Sequence, residues 1–363
     1  MFSRDEALLI AASSIGGVLW GMNQVVLSLY LYSLGLSPAR VGLLITAQTF
    51  IGAALSLILS ALGDAYGRVK FVVLNRAISA AGLAVLASGN PYGVLLLTFM
   101  SGGALVSALM AEKAADLDRD MSVSSAANTA LSVVGSIIAG VLTLRGSIIA
   151  EIPIVAASAA LVAAVRESYR GTGEISFKIE SFPKVARLSI NALIGMGAGI
   201  LLPMLSLWFY LRFGVNQAEL GPVFAASNAA LALATLAAPR LSRLWGRARA
   251  IVYTQSLGVL FLVLMPLVPT YSAAAAIYIA RNAAMNMATP LFSSFVAGLI
   301  PEHERARGYA MIGFLDALPR AVGPSISGYL YGLGMLSLPF YITASLYAAA
   351  TVGFYCFFGR GSA

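Results

Sequence analysis

The chain has 363 residues, of which 59% are hydrophobic and only 10% are charged. Soluble domains carry about 25% charged residues, so this composition excludes an ordinary soluble protein and favours a lipid bilayer as the solvent. The net charge of +8 does not indicate nucleic-acid binding, because the basic residues are spread over short segments between apolar runs. The single cysteine, Cys356, and the single histidine, His303, leave no metal-binding or catalytic cluster, so we expect no metal site and no enzyme.

The apolar runs are long enough to cross a membrane as helices, which takes about 20 residues each. The first run begins at Leu8 and is too long for the core of a cleaved signal peptide, so we interpret it as a spanning helix. Proline and glycine in the short connections end one helix and turn the chain before the next. In chain order we predict spans 1 to 12 at residues 8–33, 41–62, 71–89, 93–111, 123–144, 147–165, 187–211, 218–239, 250–268, 272–297, 307–332 and 337–358.

Basic residues are concentrated in the loops that follow the even-numbered spans. Loops rich in Lys and Arg stay on the cytoplasmic side of a membrane. We therefore predict a multi-pass protein of the plasma membrane with both termini in the cytoplasm. The residues that carry this bias are Arg68, Lys70, Lys113, Arg119, Arg166, Arg170, Lys178, Lys184, Arg240, Arg243, Arg247, Arg249, Arg305 and Arg307.

The longest polar stretch lies in the middle of the chain and leaves six predicted spans on each side. We predict an N-terminal six-helix bundle at 1–165, a central cytoplasmic loop at 166–186 and a C-terminal six-helix bundle at 187–363. The spacing of Gly135 and Gly140 in span 5 recurs at Gly323 and Gly328 in span 11. Such a repeat predicts two bundles related by a pseudo-twofold axis, an arrangement found in transporters.

The stretch SALGDAYGRVKF, residues 60–71, places an acid and two bases in a short loop between spans 2 and 3. It resembles the signature of the major facilitator superfamily, roughly Gly-x-x-x-Asp-Arg-x-Gly-Arg-Arg/Lys, with which Asp64, Gly67 and Arg68 agree. Ser60 and Ala65 depart from that pattern. The resemblance implies an all-α fold of twelve transmembrane helices. It also implies a cytoplasmic gate in which Asp64 meets the start of span 11 and holds the two halves together.

A second stretch, residues 301–332, resembles the polar loop and glycine-rich eleventh helix of drug-exporter-like members of the same superfamily. The antiporter pattern of the fifth helix is not present in residues 131–142, and Phe99 stands where many proton-coupled exporters carry an arginine. The resemblance of residues 301–332 to drug-exporter-like members implies export as the direction of transport.

Three charged residues lie deep inside predicted spans: Arg281 in span 10, and Asp316 and Arg320 in span 11. A charge at the bilayer centre costs at least about 2.5–3.5 kcal/mol, so such residues usually face a cavity or a partner. Asp316 and Arg320 are four residues apart and share a helix face. Two interpretations stay open: a local ion pair, or a site where Asp316 exchanges a proton and changes partners between the two arginines. The spare positive charge favours an anionic substrate.

Uncharged polar residues add a possible lining for the pathway. Asn23 lies near the middle of span 1, and Asn282 and Asn286 are four residues apart in span 10. Each could instead form an ordinary interhelical hydrogen bond, worth about 0.6 kcal/mol. We expect Glu151, about five residues into span 6, to lie at the membrane interface. We expect Glu112 to belong to a solvated acidic loop, with pairing to the loop between spans 2 and 3 as the alternative.

These observations favour a secondary active transporter that moves a small organic solute by alternating access, with proton-coupled efflux as the leading hypothesis. No Gly-x-x-x-x-Gly-Lys-Ser/Thr motif is present, which argues against direct use of ATP. We expect a small-molecule substrate, the lipid bilayer as environment, no nucleic-acid partner, a monomer, and no cofactor apart from the proton as coupling ion. The alternatives are proton-coupled uptake of an organic anion or carboxylate, and a membrane scaffold that transports nothing.

Overall fold

A computed structural model describes residues 2–169, 191–287 and 305–358. Within these ranges it describes the backbone but not the side chains of residues 117, 118, 191, 238, 239, 247, 248, 305–316, 357 and 358. All regular secondary structure in the described ranges is helical, as the apolar runs predict.

The first six α-helices follow one another with short connections. They are α1 (Arg4–Ser33), α2 (Pro38–Tyr66), α3 (Val69–Ala87), α4 (Gly103–Lys113), α5 (Leu117–Val141) and α6 (Leu144–Ala163). Side-chain caps start three of them: Ser3 forms a capping box with Glu6 at α1, and Asp116 and Thr143 cap α5 and α6. Predicted span 4 is not one continuous α-helix, because two 3-10 turns, Pro91–Leu96 and Phe99–Gly102, precede α4.

Seven further α-helices follow. They are α7 (Asn191–Leu201), α8 (Leu205–Phe213), α9 (Gln217–Trp245), α10 (Arg247–Leu264), α11 (Tyr271–Met287), α12 (Arg305–Gly332) and α13 (Leu338–Phe358). Together, α7 and α8 correspond to predicted span 7, which Pro203 interrupts with a 3-10 turn at Leu202–Met204. Described helices overlap all twelve predicted spans, and in the described part of the chain nine stretches are long and apolar enough to cross a membrane. The count of twelve crossings stays a prediction.

The described residues group into two compact units. The first contains 2–36, 44–169 and 217–225, and the second contains 37–43, 191–216, 226–287 and 305–358. The start of α2 therefore belongs to the second unit although the rest of α2 belongs to the first. The start of α9 belongs to the first unit although the rest of α9 belongs to the second. The predicted central loop at 166–186 is described only up to Tyr169, and the predicted domain boundaries stay a prediction.

Glycines allow α1 and α5 to pack closely inside the first unit. A side chain on Gly17 or Gly21 would overlap the carbonyl groups of Asn128 and Ser132, and one on Gly135 would overlap that of Val18. Small residues let helix backbones approach each other in membranes, where packing replaces the hydrophobic effect as the driving force. These glycines therefore set the distance between α1 and α5.

The second unit uses glycines in the same way between α7 and α12. A side chain on Gly199 would overlap the carbonyl of Arg320, and one on Gly323 would overlap the backbone of Gly199. Gly135 and Gly323 therefore have equivalent roles, as do Gly140, which lies against Gly221, and Gly328, which lies against the backbone of Pro38. This agreement is what the six-helix repeat inferred from the glycine spacing predicts.

Candidate functional site

A buried carboxyl group lies in the first unit, between α6 and α1. Glu151 is 1% exposed, and its Oε2 accepts a hydrogen bond of 3.0 Å from Nδ2 of Asn23. Its Oε1 is buried without a hydrogen-bond partner among the described residues. The sequence analysis did not predict this burial, and the depth of Glu151 in the bilayer stays a prediction. The helix α6 starts at Leu144, three residues before the predicted span, so Glu151 lies seven residues after the first residue of the helix.

Arg76 on α3 is a second buried charged residue of the first unit, and the sequence analysis did not select it. It is 3% exposed, and its guanidinium group lies 3.4 Å from the centre of the Phe99 ring. Its Nη1 donates to the carbonyl of Phe99, whereas its Nε has no partner among the described residues. A guanidinium over an aromatic face gains about 2 kcal/mol or more when it is shielded from water. Arg76 therefore places a cation beside Phe99, the position at which many proton-coupled exporters carry an arginine.

The break before α4 explains why polar side chains gather here. The 3-10 turns leave backbone carbonyls without helical donors, and buried carbonyls need other partners. Gln48 donates to the carbonyl of Leu97 at 2.7 Å, and Asn75 donates to that of Thr98 at 3.0 Å. Together with Arg76, they satisfy three successive carbonyls, so this irregular stretch is held in place by α2 and α3.

A polar cavity of about 180 Å³ opens between α1, α4 and α5 of the first unit. Four serines and Asn128 supply hydroxyl and amide groups to it, and Asn128 donates to the carbonyl of Ser13 at 3.1 Å. Its lining residues are Ser13, Val106, Ser107, Met110, Met121, Ser124, Ser125 and Asn128. A small polar molecule could find hydrogen-bond partners there without a charged group.

Among the described residues of the second unit, Arg281 on α11 is a buried charged residue. It is 2% exposed, and its Nη2 donates to the hydroxyl of Tyr347 on α13 at 3.2 Å. Its Nε has no partner among the described residues, and no described carboxylate lies within ion-pair distance of it. Among the described residues, Arg281 therefore lies beside a neutral aromatic side chain and not beside a carboxylate.

The two asparagines of α11 form a hydrogen-bonded pair beside Arg281. Nδ2 of Asn286 donates to Oδ1 of Asn282 at 2.8 Å, and Nδ2 of Asn282 donates to the hydroxyl of Ser227 at 2.8 Å. Ser227 also hydrogen-bonds Tyr278, one turn before Asn282 on α11. The structure therefore brings Asn282, Asn286 and Arg281 together in one unit, whereas Asn23 belongs to the other.

The predicted partners of Arg281 on α12 are only partly described. Asp316 and Arg320 both lie in the helix Arg305–Gly332, but the side chain of Asp316 lies outside the described residues. Arg320 is partly buried and takes part in an interaction. The exchange of partners between Asp316 and the two arginines stays a prediction.

The loop between α2 and α3 forms a compact charged cluster in the first unit. Nη2 of Arg68 lies 3.0 Å from Oδ1 of Asp64, and its guanidinium group lies 4.1 Å from the centre of the Tyr169 ring. Gly67 has a φ of +99°, a conformation that glycine adopts without strain, and this lets the chain turn between the two helices. The three signature residues thus act together.

Two glutamates complete this cluster: Glu167, which the sequence analysis did not select, and Glu112, for which it gave pairing with this loop as the alternative. The carboxylate of Glu167 accepts the backbone N–H groups of Arg68 and Val69 and thereby caps the start of α3. Glu112 lies 3.8 Å from Arg68 and accepts the N–H of Ser168 at 2.8 Å. The expectation that Glu112 is solvated is wrong, because its side chain is 15% exposed and hydrogen-bonded. The predicted contact of Asp64 with the start of α12 falls on residues whose side chains are not described.

Structural comparison gives several similar proteins over nearly the whole chain. A mutant of the nucleoside transporter NupG has a TM-score of 0.76 at 15% identity, with 97% of this chain and 99% of that chain covered. The human organic anion transporter MFSD10 (TETRAN) has a TM-score of 0.72 at 16% identity, with 97% and 99% covered. A bacterial homologue of the human lysosomal transporter Spinster has a TM-score of 0.74 at 14% identity, with 98% of each chain covered.

Sequence comparison agrees with this fold. Among curated protein sequences, none matches the chain significantly. The family model of the Major Facilitator Superfamily matches twice, at residues 9–186 and 187–362, so that each half of the chain accounts for one match. Its members are transporters and not enzymes. The two matches together cover nearly every residue, and the repeated glycine spacing and the turn at Asp64–Arg68 agree with them. This multi-pass membrane protein belongs to the Major Facilitator Superfamily.

Proposed function

We propose that the chain is a secondary active transporter of a small organic solute that works by alternating access and is coupled to protons. The observation that carries this proposal is an ionisable side chain buried in the apolar helices of each unit, Glu151 in the first and Arg281 in the second. Each has an atom without a described hydrogen-bond partner. Since a charge in a bilayer costs at least about 2.5–3.5 kcal/mol, such residues usually serve transport.

Asp316 is the proposed coupling acid, and Arg281 and Arg320 are its proposed partners. An acid four residues before a base favours an ion pair on one helix face. Protonation of Asp316 would release Arg320 or Arg281 for a substrate group, and loss of the proton would restore the pair. Asn23, Asn282 and Asn286 would orient the solute by hydrogen bonds.

Efflux is the proposed direction, in a drug-exporter-like member of the superfamily. Its support is the sequence of 301–332. The proposed setting is the plasma membrane, with a monomer whose termini face the cytoplasm, and its support is the distribution of basic residues. The Asp64–Arg68 cluster would lie on that cytoplasmic side and act as the gate.

A second candidate is uptake of an organic anion, which the buried arginines favour. Neither Arg76 nor Arg281 forms an ion pair with a described carboxylate, and arginine stays charged at any physiological pH. A carboxylate or phosphate would supply the missing opposite charge through paired hydrogen bonds. Structural neighbours whose names refer to nucleosides and organic anions are consistent with a small polar solute.

Transport by the purified full chain in proteoliposomes tests these proposals. An imposed pH gradient should drive accumulation of at least one solute from a panel of organic cations, neutral amphipathic compounds and carboxylates. Asp316→Asn should abolish the response to the gradient, and Arg166→Ala, a change at an exposed residue, should leave it intact. The class of solute and its direction relative to the gradient separate efflux from anion uptake. Absence of flux for the whole panel would favour the scaffold.

A further inference from the structure

The hydrogen bonding of Glu151 determines which protonation state fits its site. The Nδ2 group of Asn23 has two hydrogens, and it donates one to the carbonyl of Leu19 at 2.9 Å and the other to Oε2 of Glu151 at 3.0 Å. Both hydrogens of Nδ2 are therefore used, and from the described residues Glu151 receives only this hydrogen bond. An ionised carboxylate has about four acceptor positions, and leaving most of them empty away from water is costly.

The charged residues of the neighbouring helices have other partners or lie elsewhere along their helix. Glu6 binds the N–H groups of Ser3 and Ala115, and at 1.5 Å per residue it lies about 25 Å along α1 from Asn23, together with Arg4 and Asp5. On α3, Arg76 is engaged with Phe99, and Lys70 lies near the Tyr66 and Phe71 rings at the start of the helix.

The other described charged and titratable groups of these helices also have other partners or lie elsewhere along their helix. On α5, Arg119 pairs with Asp120 at 2.9 Å near the start of the helix. On α6 itself, Arg145 donates to the carbonyl of Ala87 at 2.9 Å. Of the tyrosines of α1, Tyr30 donates to the carbonyl of Leu86 and Tyr32 lies about 13 Å beyond Asn23 along the helix. No described positive group is available to balance a negative charge on Glu151.

We infer that Glu151 carries a proton in this state and that the Asn23–Glu151 pair is a proton-binding site of the first unit. The proton sits on Oε1, while Oε2 accepts the hydrogen bond of Asn23. When water reaches the pair, the O–H bond at Oε1 breaks, the proton passes to water, and water solvates the carboxylate that remains. The role of this site as a second coupling acid, separate from Asp316, rests on the proposed transport function.

Infrared spectroscopy of the full chain in lipid nanodiscs at neutral pH tests the protonation directly. A buried protonated carboxylic acid has its own C=O stretching band, and Glu151→Gln should remove it. Asn23→Ala should shift this band instead of removing it, because the acid loses its hydrogen bond but keeps its proton. Glu112→Gln is the matched control and should leave the band unchanged, since that carboxylate accepts N–H groups and lies 3.1 Å from Lys113. A spectrum in which Glu151→Gln removes no protonated-acid band would overturn the inference.

Transport tests the coupling role independently. In proteoliposomes, Glu151→Gln should still exchange solute for solute but should lose accumulation driven by a pH gradient, because glutamine has the shape of the neutral acid and cannot release a proton. Accumulation equal to that of the unsubstituted protein would refute the coupling role. If no solute is transported at all while the infrared band behaves as expected, the proposed function fails and the protonation of Glu151 stands.

Discussion

The tight contact between α1 and α5 can be tested with a single methyl group. Gly17 is buried on α1, and a Cβ at this position would overlap the carbonyl of Asn128 on α5. Gly17→Ala therefore forces the two helices apart. Gly103→Ala is the matched control, because this exposed helical glycine has no atom within 4 Å of an added Cβ.

The magnitude follows from two opposing terms. Replacing glycine by alanine in a helix stabilises it by up to about 1 kcal/mol, whereas overpacking a tight contact costs about 1–3 kcal/mol. The overlap at Gly17 is with backbone, which cannot rotate away as a side chain could, so the cost should lie at the upper end. We expect Gly17→Ala to destabilise the protein by about 2 kcal/mol, and Gly103→Ala to leave it unchanged or slightly more stable.

Thermal unfolding of both variants in the same detergent measures this difference. In domains of 150–250 residues, 1 kcal/mol corresponds to about 2–4 °C in Tm, so Gly17→Ala should melt several degrees below Gly103→Ala. Transport should also fall for Gly17→Ala, because the shift moves Asn128 at the polar cavity. Equal Tm values for the two variants would refute the argument that this glycine sets the distance between α1 and α5.

Three further predictions concern the charged clusters. Glu167→Ala should destabilise the protein by about 1 kcal/mol, since it removes the cap of α3, and Arg166→Ala should not change Tm; equal Tm values would contradict the capping role. Asp64→Asn should change stability by less than about 1 kcal/mol, because Asp64 is 58% exposed. It should nevertheless shift the balance between inward-open and outward-open states, measured as a distance across the face that carries the loop between α2 and α3. An unchanged distance would leave Asp64 with a role in topology alone. Arg281→Gln should lower the affinity for organic anions, measured by thermal stabilisation, at least tenfold. Tyr347→Phe keeps the charge and should lower this affinity less. No change in affinity for any tested anion would exclude Arg281 from the substrate site.

Much of the fold was predictable because membrane insertion acts on each segment separately. Apolar length predicted where helices occur, and the match of Asp64, Gly67 and Arg68 to the signature predicted the family that the comparisons show. Hydropathy does not detect a helix break, and so span 4 was predicted as continuous although 3-10 turns interrupt it.

The buried charged residues were harder to predict because burial depends on which neighbouring helices cover each side chain. Arg76 and Glu151 each lie about five residues inside a predicted span, and the sequence analysis selected neither of them for the candidate site. In the structure α3 begins at Val69 and α6 at Leu144, two or three residues earlier than predicted, and both side chains are buried. A charged residue within a span and without an opposite charge three or four positions away is the signal that would have selected them.

The order of residues was enough to determine an all-helical membrane protein of this superfamily, because hydropathy, loop charge and a short loop motif each act within one stretch of chain. The polar partners were decided only by the tertiary structure. Glu151 meets Asn23 across 128 positions, and Arg68 meets Glu167 across 99. Which side chains meet depends on how each helix is rotated and which helix lies beside it, and close packing at a few glycines sets both.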